Sequence, residues 1–163
     1  MIVWAMAACG SPMSKRMRDG KRWTVGNLDL KIEGSYCHDG NCRQYGRLYT
    51  WDAARSGCES LGQAWRLPTD EDWRHLAALY GGGAAAYRTL LTGGDSGFDA
   101  LLGGGRELSG QFARLEAHGF YWTAMEDGTG NAVFYNFAKG KQSLFRQRGG
   151  EKARAFSVRC VAE

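Results

Sequence analysis

Five cysteines and three histidines are the side chains of this 163-residue chain best equipped for covalent or metal chemistry. Cys37 and Cys42 enclose a four-residue loop that holds Asp39 and Gly40, short enough for a local disulfide clip. Cys58 and Cys160 stand ~100 residues apart, and a bridge between them would be worth about 4.7 kcal/mol if cross-linking acts on chain entropy. The rival is a metal site built on cysteine with His38. It lacks the C-x-x-C pairs that zinc favours, and His38, His75 and His118 are scattered, so disulfides are the stronger reading. Pairing four cysteines leaves Cys9 over. Glu126, Asp127 and Asn131 form the one compact oxygen set that calcium would accept. The glycine triplets at 81–83 and 103–105 lack the lysine and hydroxyl residue of a phosphate loop and read as turns. His118, next to Gly119 and ahead of a strand, reads as a loop residue rather than a base. No Ser-His-Asp set or carboxylate pair stands out, which argues against an enzyme and implies no cofactor.

The elements that would carry these residues follow from spacing. The segment 21–25 and the alternating Leu28, Leu30 and Ile32 read as strands. Trp51, Ala54, Cys58 and Leu61 recur at helical spacing, which predicts a helix over 49–61. Pro68 keeps the chain before it extended. Thr69 then caps a second helix, with Asp72 three residues on and able to reach back to the cap amide. Trp73, Leu76, Ala77 and Tyr80 make its apolar face, glycines 81–83 end it, and a shorter helical piece covers 84–91. Residues 92–118 are glycine-rich and irregular. Strands return at 119–124, 131–137, 143–147 and 156–161. This order is α+β: two helices packed on a small, mostly antiparallel sheet with long glycine-rich loops, the terminal strands paired in one sheet.

Composition fits one secreted-type domain. Hydrophobic residues make up 44% and charged residues 23%, ordinary for a folded protein. Twenty-four glycines with six tryptophans suggest tight turns pinned onto a core by large rings rather than a helical bundle. The net charge of +4 is too small and dispersed to argue for nucleic acid. Cys9 follows a short apolar run, with small residues on both sides, and this looks like the end of a bacterial lipoprotein signal, although no basic segment precedes it. On that reading residues 1–20 are a truncated signal and tether, and residues 21–163 the binding domain. The chain would then sit outside the cytoplasm, on an outer membrane or cell surface. Its attachment to the membrane would be through lipid on Cys9 alone.

The motifs YGRLYTW (45–51), WRLPTDEDW (65–73) and SVRCV (157–161), in that order, resemble the Fibrobacter succinogenes major paralogous domain. Gly34 to Cys37, Cys42, Cys58 and the run GFYWT (119–123) match as well, so the resemblance spans nearly everything from Trp23 to Val161. It implies a C-type-lectin-like fold, an extracytoplasmic location, frequent lipid anchoring and support for the two cysteine pairs. Trp51, Trp65, Trp73 and Trp122 read as core, since such rings bury about 150–250 Å² each. Arg47 and Arg159 read as bridges to carbonyls or carboxylates, and Glu126 as a turn-fixing acceptor.

Lipoproteins of this type are also known as targets of diversity-generating retroelements, which vary a patch near the C-terminus. Here the candidate ligand-binding residues are Met125, Thr129, Val133, Phe134, Tyr135, Ser143, Phe145 and Gln147. Consecutive Val133, Phe134 and Tyr135 put bulk on both strand faces, so at least one is expected to point outward. Each alone could alternate into the core. As a group they read as a surface patch that offers contact area at low entropy cost. The expected partner is a macromolecule, a protein on another cell or host surface, met by a monomer. Arg146, Arg148, Lys139 and Lys141 would form a basic rim. A calcium-dependent lectin on Glu126, Asp127 and Asn131 is the alternative, separable by calcium and glycan titration.

Overall fold

A computed structural model describes residues 12–163. Cys9 lies outside them. Strand β1 (Ser14–Arg16) pairs antiparallel with β2 (Arg22–Thr24), which also pairs with the last strand, β10 (Val161–Ala162). The termini therefore close one small sheet, as alternation at both ends predicts. Ser14, Lys15 and Arg16 were expected in the tether; they belong to the folded unit, held by the β2 ladder, with Lys15 also donating to the Ser96 carbonyl at 2.7 Å.

Between the ends of the described residues run two further strand pairs and four helices, one more than the two helices and shorter helical piece expected. β3 (Ser35–Tyr36) and β4 (Leu48–Tyr49) flank the single-turn α1 (Cys42–Tyr45). The helix α2 (Trp51–Glu59) starts at the Thr50 cap. The helix α3 (Asp70–Leu79) has a full capping box: Thr69 accepts from the Asp72 amide at 3.0 Å, and Asp72 accepts from the Thr69 amide at 2.8 Å. The helix α4 (Gly83–Leu90) follows the glycine turn. A short hairpin, β5 (Gly105–Arg106) with β6 (Phe112–Ala113), interrupts the irregular region. The main sheet is the meander β7 (His118–Glu126), β8 (Asn131–Ala138) and β9 (Ser143–Glu151), in that order, with a 3₁₀ turn (Lys139–Lys141) before β9.

Leu28, Leu30 and Ile32 form no strand. Their segment runs extended past other elements and is tied by single bonds, the Leu28 amide to the Val158 carbonyl and Tyr49 Oη to both backbone groups of Leu30. Residues 156–160 likewise make isolated bridges to Tyr49 and Tyr121 instead of a continuous strand. Alternation marks an extended chain; only a partner turns it into a ladder. At Gly46 (φ +72°) a Cβ would stand 2.6 Å from that of Asn27, which explains the glycine inside the YGRLYTW motif.

The meander is packed on both faces. One face brings Tyr121, Tyr135, Phe137 and Leu144 against Trp73, Leu76, Tyr87 and Leu90 of α3 and α4. The other brings Phe120, Trp122 and Phe134 against Phe156 and the α2 side of the core, with Trp51, Trp65 and Cys58. The four tryptophans expected in the core are all there. Both disulfides form as the cysteine spacing suggests: Cys37–Cys42, with Cα atoms 5.2 Å apart, and Cys58–Cys160, at 5.5 Å. The second fastens α2 to the approach of β10.

Candidate ligand-binding face

Two-sided packing decides which candidate residues reach solvent. β8 is the central strand, so Val133, Phe134 and Tyr135 are 0%, 7% and 3% exposed. The expectation that at least one would project outward is corrected: a central strand covered on both faces reads as an unbroken apolar run, and here each face has its own core cluster. The Tyr135 hydroxyl is absorbed internally, donating to Asp70 Oδ1 at 3.0 Å. Burial, with Asp70 beside it, pushes its pKa well above the ordinary tyrosine value.

β9 is the edge strand and behaves differently. Residues 145–149 are all exposed, and Phe145 shows 41% of its surface. Across the sheet Met125 shows 46%, at the end of β7. Thr129 is exposed in the β7–β8 turn, and Ser143 is half-buried where β9 begins, beside Gly83. The exposed run is held in shape by its backbone. Ala132 pairs with Gly150 and Phe134 with Gln147, so Arg148 and Gly149 both face Val133 in a bulge. Asp127 pins that bulge, accepting from the Gly149 amide at 2.8 Å and from Arg148 at 2.6 Å; the bond from Arg148 holds its pKa below the usual carboxylate range. Gly150 is required beneath: a Cβ there would lie 2.7 Å from Phe134 and 2.9 Å from Trp122.

Two concavities flank β9. On the α3 side a cleft of about 500 Å³ lies between Glu71, Arg74, Met125 and Arg146, and Arg146 Nε donates to Asp70 at 2.8 Å. On the opposite face a hollow of about 270 Å³ opens between β9 and the loop before β7. Phe120, Phe134 and Phe156 make its floor, and His118, Asn136 and Gln147 one wall. Arg114 and Arg154 make the other. These polar residues were not singled out as a group in the sequence, because only the sheet register brings positions 118, 136 and 147 onto one face.

The remaining candidates take structural places. Glu126 accepts from Lys152 at 2.7 Å, and Lys152 also donates to the Thr129 carbonyl of the β7–β8 turn at 3.1 Å, while neighbouring Asp127 fixes the bulge. With Asn131, these two were the calcium candidates, and both carboxylates already face cations. No cluster of three potential metal ligands exists among the described residues. Arg47 donates to the Ser35 hydroxyl and carbonyl. Arg159 donates to Asn27 Oδ1, to the carbonyls of Thr24 and Asp99, and to that of Phe98. No helix of the described residues is long and apolar enough to cross a membrane.

A model of the Fibrobacter succinogenes major domain matches residues 15–162. No curated protein and no solved structure matches the chain.

Proposed function

The chain belongs to the Fibrobacter succinogenes major domain family, and from that premise we propose a non-enzymatic, C-type-lectin-like binding module that meets a macromolecular ligand through β9. The ligand in this reading is a protein on another cell or host surface, and the domain acts as a monomer held outside the cytoplasm by lipid on Cys9. The observation that carries the proposal is the exposed run 145–149, ending in a pinned bulge, on a sheet whose other layers are fully packed. A rigid edge with Phe145, Gln147 and Arg148 pointing outward offers contact area without the cost of ordering a loop. Met125 extends the patch around the sheet end. Two disulfides support an oxidising compartment, where such bridges persist.

If a retroelement diversifies this patch, variation belongs at the exposed positions 125, 145, 147 and 148 rather than at the buried Val133 or Tyr135. A template repeat beside a reverse-transcriptase gene, differing from the coding segment mainly at adenines, is the genomic signature expected. The binding claim is tested with the fluorescent domain titrated onto host and neighbour cells. Replacing Phe145 and Gln147 together by alanine should weaken binding at least about tenfold, or ~1.4 kcal/mol, at a temperature where circular dichroism shows the variant folded. Undiminished binding by that variant defeats the proposal.

A further inference from the structure

The hollow beside β9 has a fixed hydrogen-bond polarity. His118 Nδ1 lies 2.9 Å from Asn136 Oδ1, an atom that only accepts, so the imidazole donates there. Asn136 Nδ2 donates in turn to Gln147 Oε1 at 2.9 Å. The chain of bonds ends with the Gln147 amide nitrogen, a donor, turned outward on an exposed residue. The facing wall is also made of donors. Arg114 has no carboxylate partner among the described residues. Arg154 is tied through Nη2 to Glu107 at 2.8 Å, and its buried Nε has no acceptor. Arg114 sits in the left-handed region (φ +66°), as does Glu116 (φ +62°), so the loop that delivers the guanidinium is held in a conformation costing about 1–3 kcal/mol per residue. Beneath the donors lie three phenylalanine rings.

We infer that this hollow seats a carboxylate on a short aliphatic stem: an aspartate or glutamate side chain of the protein ligand. The inference rests on the reading of β9 as the ligand face. The outward Gln147 amide on one wall and the two guanidiniums on the other suit a group that only accepts, even though the neutral His118 ring keeps an acceptor at Nε2, and charge-assisted bonds from guanidinium to carboxylate are the strong ones. The phenyl floor suits methylenes. A sugar acid fits less well, because its hydroxyls ask for acceptors and the wall offers few. The volume, about 270 Å³, matches one side chain better than a drug-sized ligand, whose pockets run from about 300 to 1,000 Å³.

The test is an NMR titration of the full, oxidised, ¹⁵N-labelled chain with four probes: N-acetyl-glutamate N-methylamide, its glutamine counterpart, glucuronate and inorganic phosphate. The capped glutamate should shift the Gln147 side-chain amide and the Arg154 Nε–H saturably, and the capped glutamine should not. Arg114→Gln should weaken that binding at least about tenfold. Gln147→Leu, which removes the other outward donor, should weaken it too. No shift with capped glutamate, equal shifts with capped glutamine, tighter binding of glucuronate or phosphate, or an Arg114→Gln variant of unchanged affinity would each overturn the inference. Its failure is distinct from failure of the ligand face. A silent titration combined with loss of cell binding in the Phe145 and Gln147 double variant sinks the hollow alone. A positive titration combined with undiminished cell binding in that variant sinks the β9 reading alone.

Discussion

At Arg159 a guanidinium with no solvent exposure is surrounded by backbone carbonyls and Asn27, without a carboxylate partner among the described residues. It also lies 4.5 Å from the centroid of Phe98. Burial pulls its pKa below the ordinary arginine value, yet the acceptors around it need all its donors. Arg159→Leu should therefore cost more than about 3 kcal/mol in urea unfolding, since each stranded buried acceptor costs about 1–3 kcal/mol. Residue burial makes a second division. Phe134→Ala or Tyr135→Ala should cost about 3–5 kcal/mol through lost transfer energy and a cavity. Phe145→Ala should stay within about 0.5 kcal/mol, whereas Gln147→Ala should cost about 1–3 kcal/mol, because it strands the buried Nδ2 of Asn136. Equal losses at Phe134 and Phe145 would mean that the edge strand is not free. Residue type alone does not separate these positions, since Phe134 and Phe145 are the same amino acid; their strands do differ, β8 being almost wholly apolar and β9 largely polar.

The helix α3 shows how much an element depends on its first turn. Asp72 belongs to the capping box and also holds Lys21, just before β2, at 2.7 Å and Arg66, in the extended link that bridges to Val161 of β10, at 2.5 Å. Burial by itself would raise its pKa. The bonds from Arg66, Lys21 and the Thr69 amide outweigh that and hold the carboxyl well below the usual carboxylate range. The folded state therefore holds this proton less tightly than the unfolded chain, where an aspartate titrates near about 3.9. Its contribution is complete above that pH and is lost as pH falls towards the depressed folded value. Stability measured by urea should drop below about pH 4, and Asp72→Asn should flatten part of that drop while costing about 2 kcal/mol at neutral pH. A variant with the full wild-type acid sensitivity would contradict this. The helix was legible because cap, box and apolar stripe lie within a dozen residues. The segment 28–32 was misread as a strand, because a strand needs a partner that local alternation does not name.

Across the whole molecule the two disulfides divide the work unequally. Cys58–Cys160 closes a separation of 102 residues and should be worth about 4–5 kcal/mol on chain entropy, against about 2 kcal/mol for Cys37–Cys42, which spans five. Replacing each pair by alanine and measuring unfolding in urea should reproduce that order; a larger loss from the short clip would shift the weight to local packing. The α+β class, the second helix with its cap, the pairing of the terminal strands, the cysteine partners and the tryptophan core could all be read along the chain, because each is announced by neighbours in sequence or by covalent chemistry that admits few alternatives. The location of the outward-facing residues could not. The apolar run of β8 and the polar, glycine-bearing β9 are compatible with a central and an edge strand, but that contrast does not say what covers each face. That depends on α3 and α4 covering one face, Phe156 and the α2 core covering the other, and a register that gathers His118, Asn136 and Gln147 from three strands. Which polar groups meet at the ligand face is a property of that long-range packing, because a local pattern can mark a strand as polar but does not name the neighbours its side chains meet.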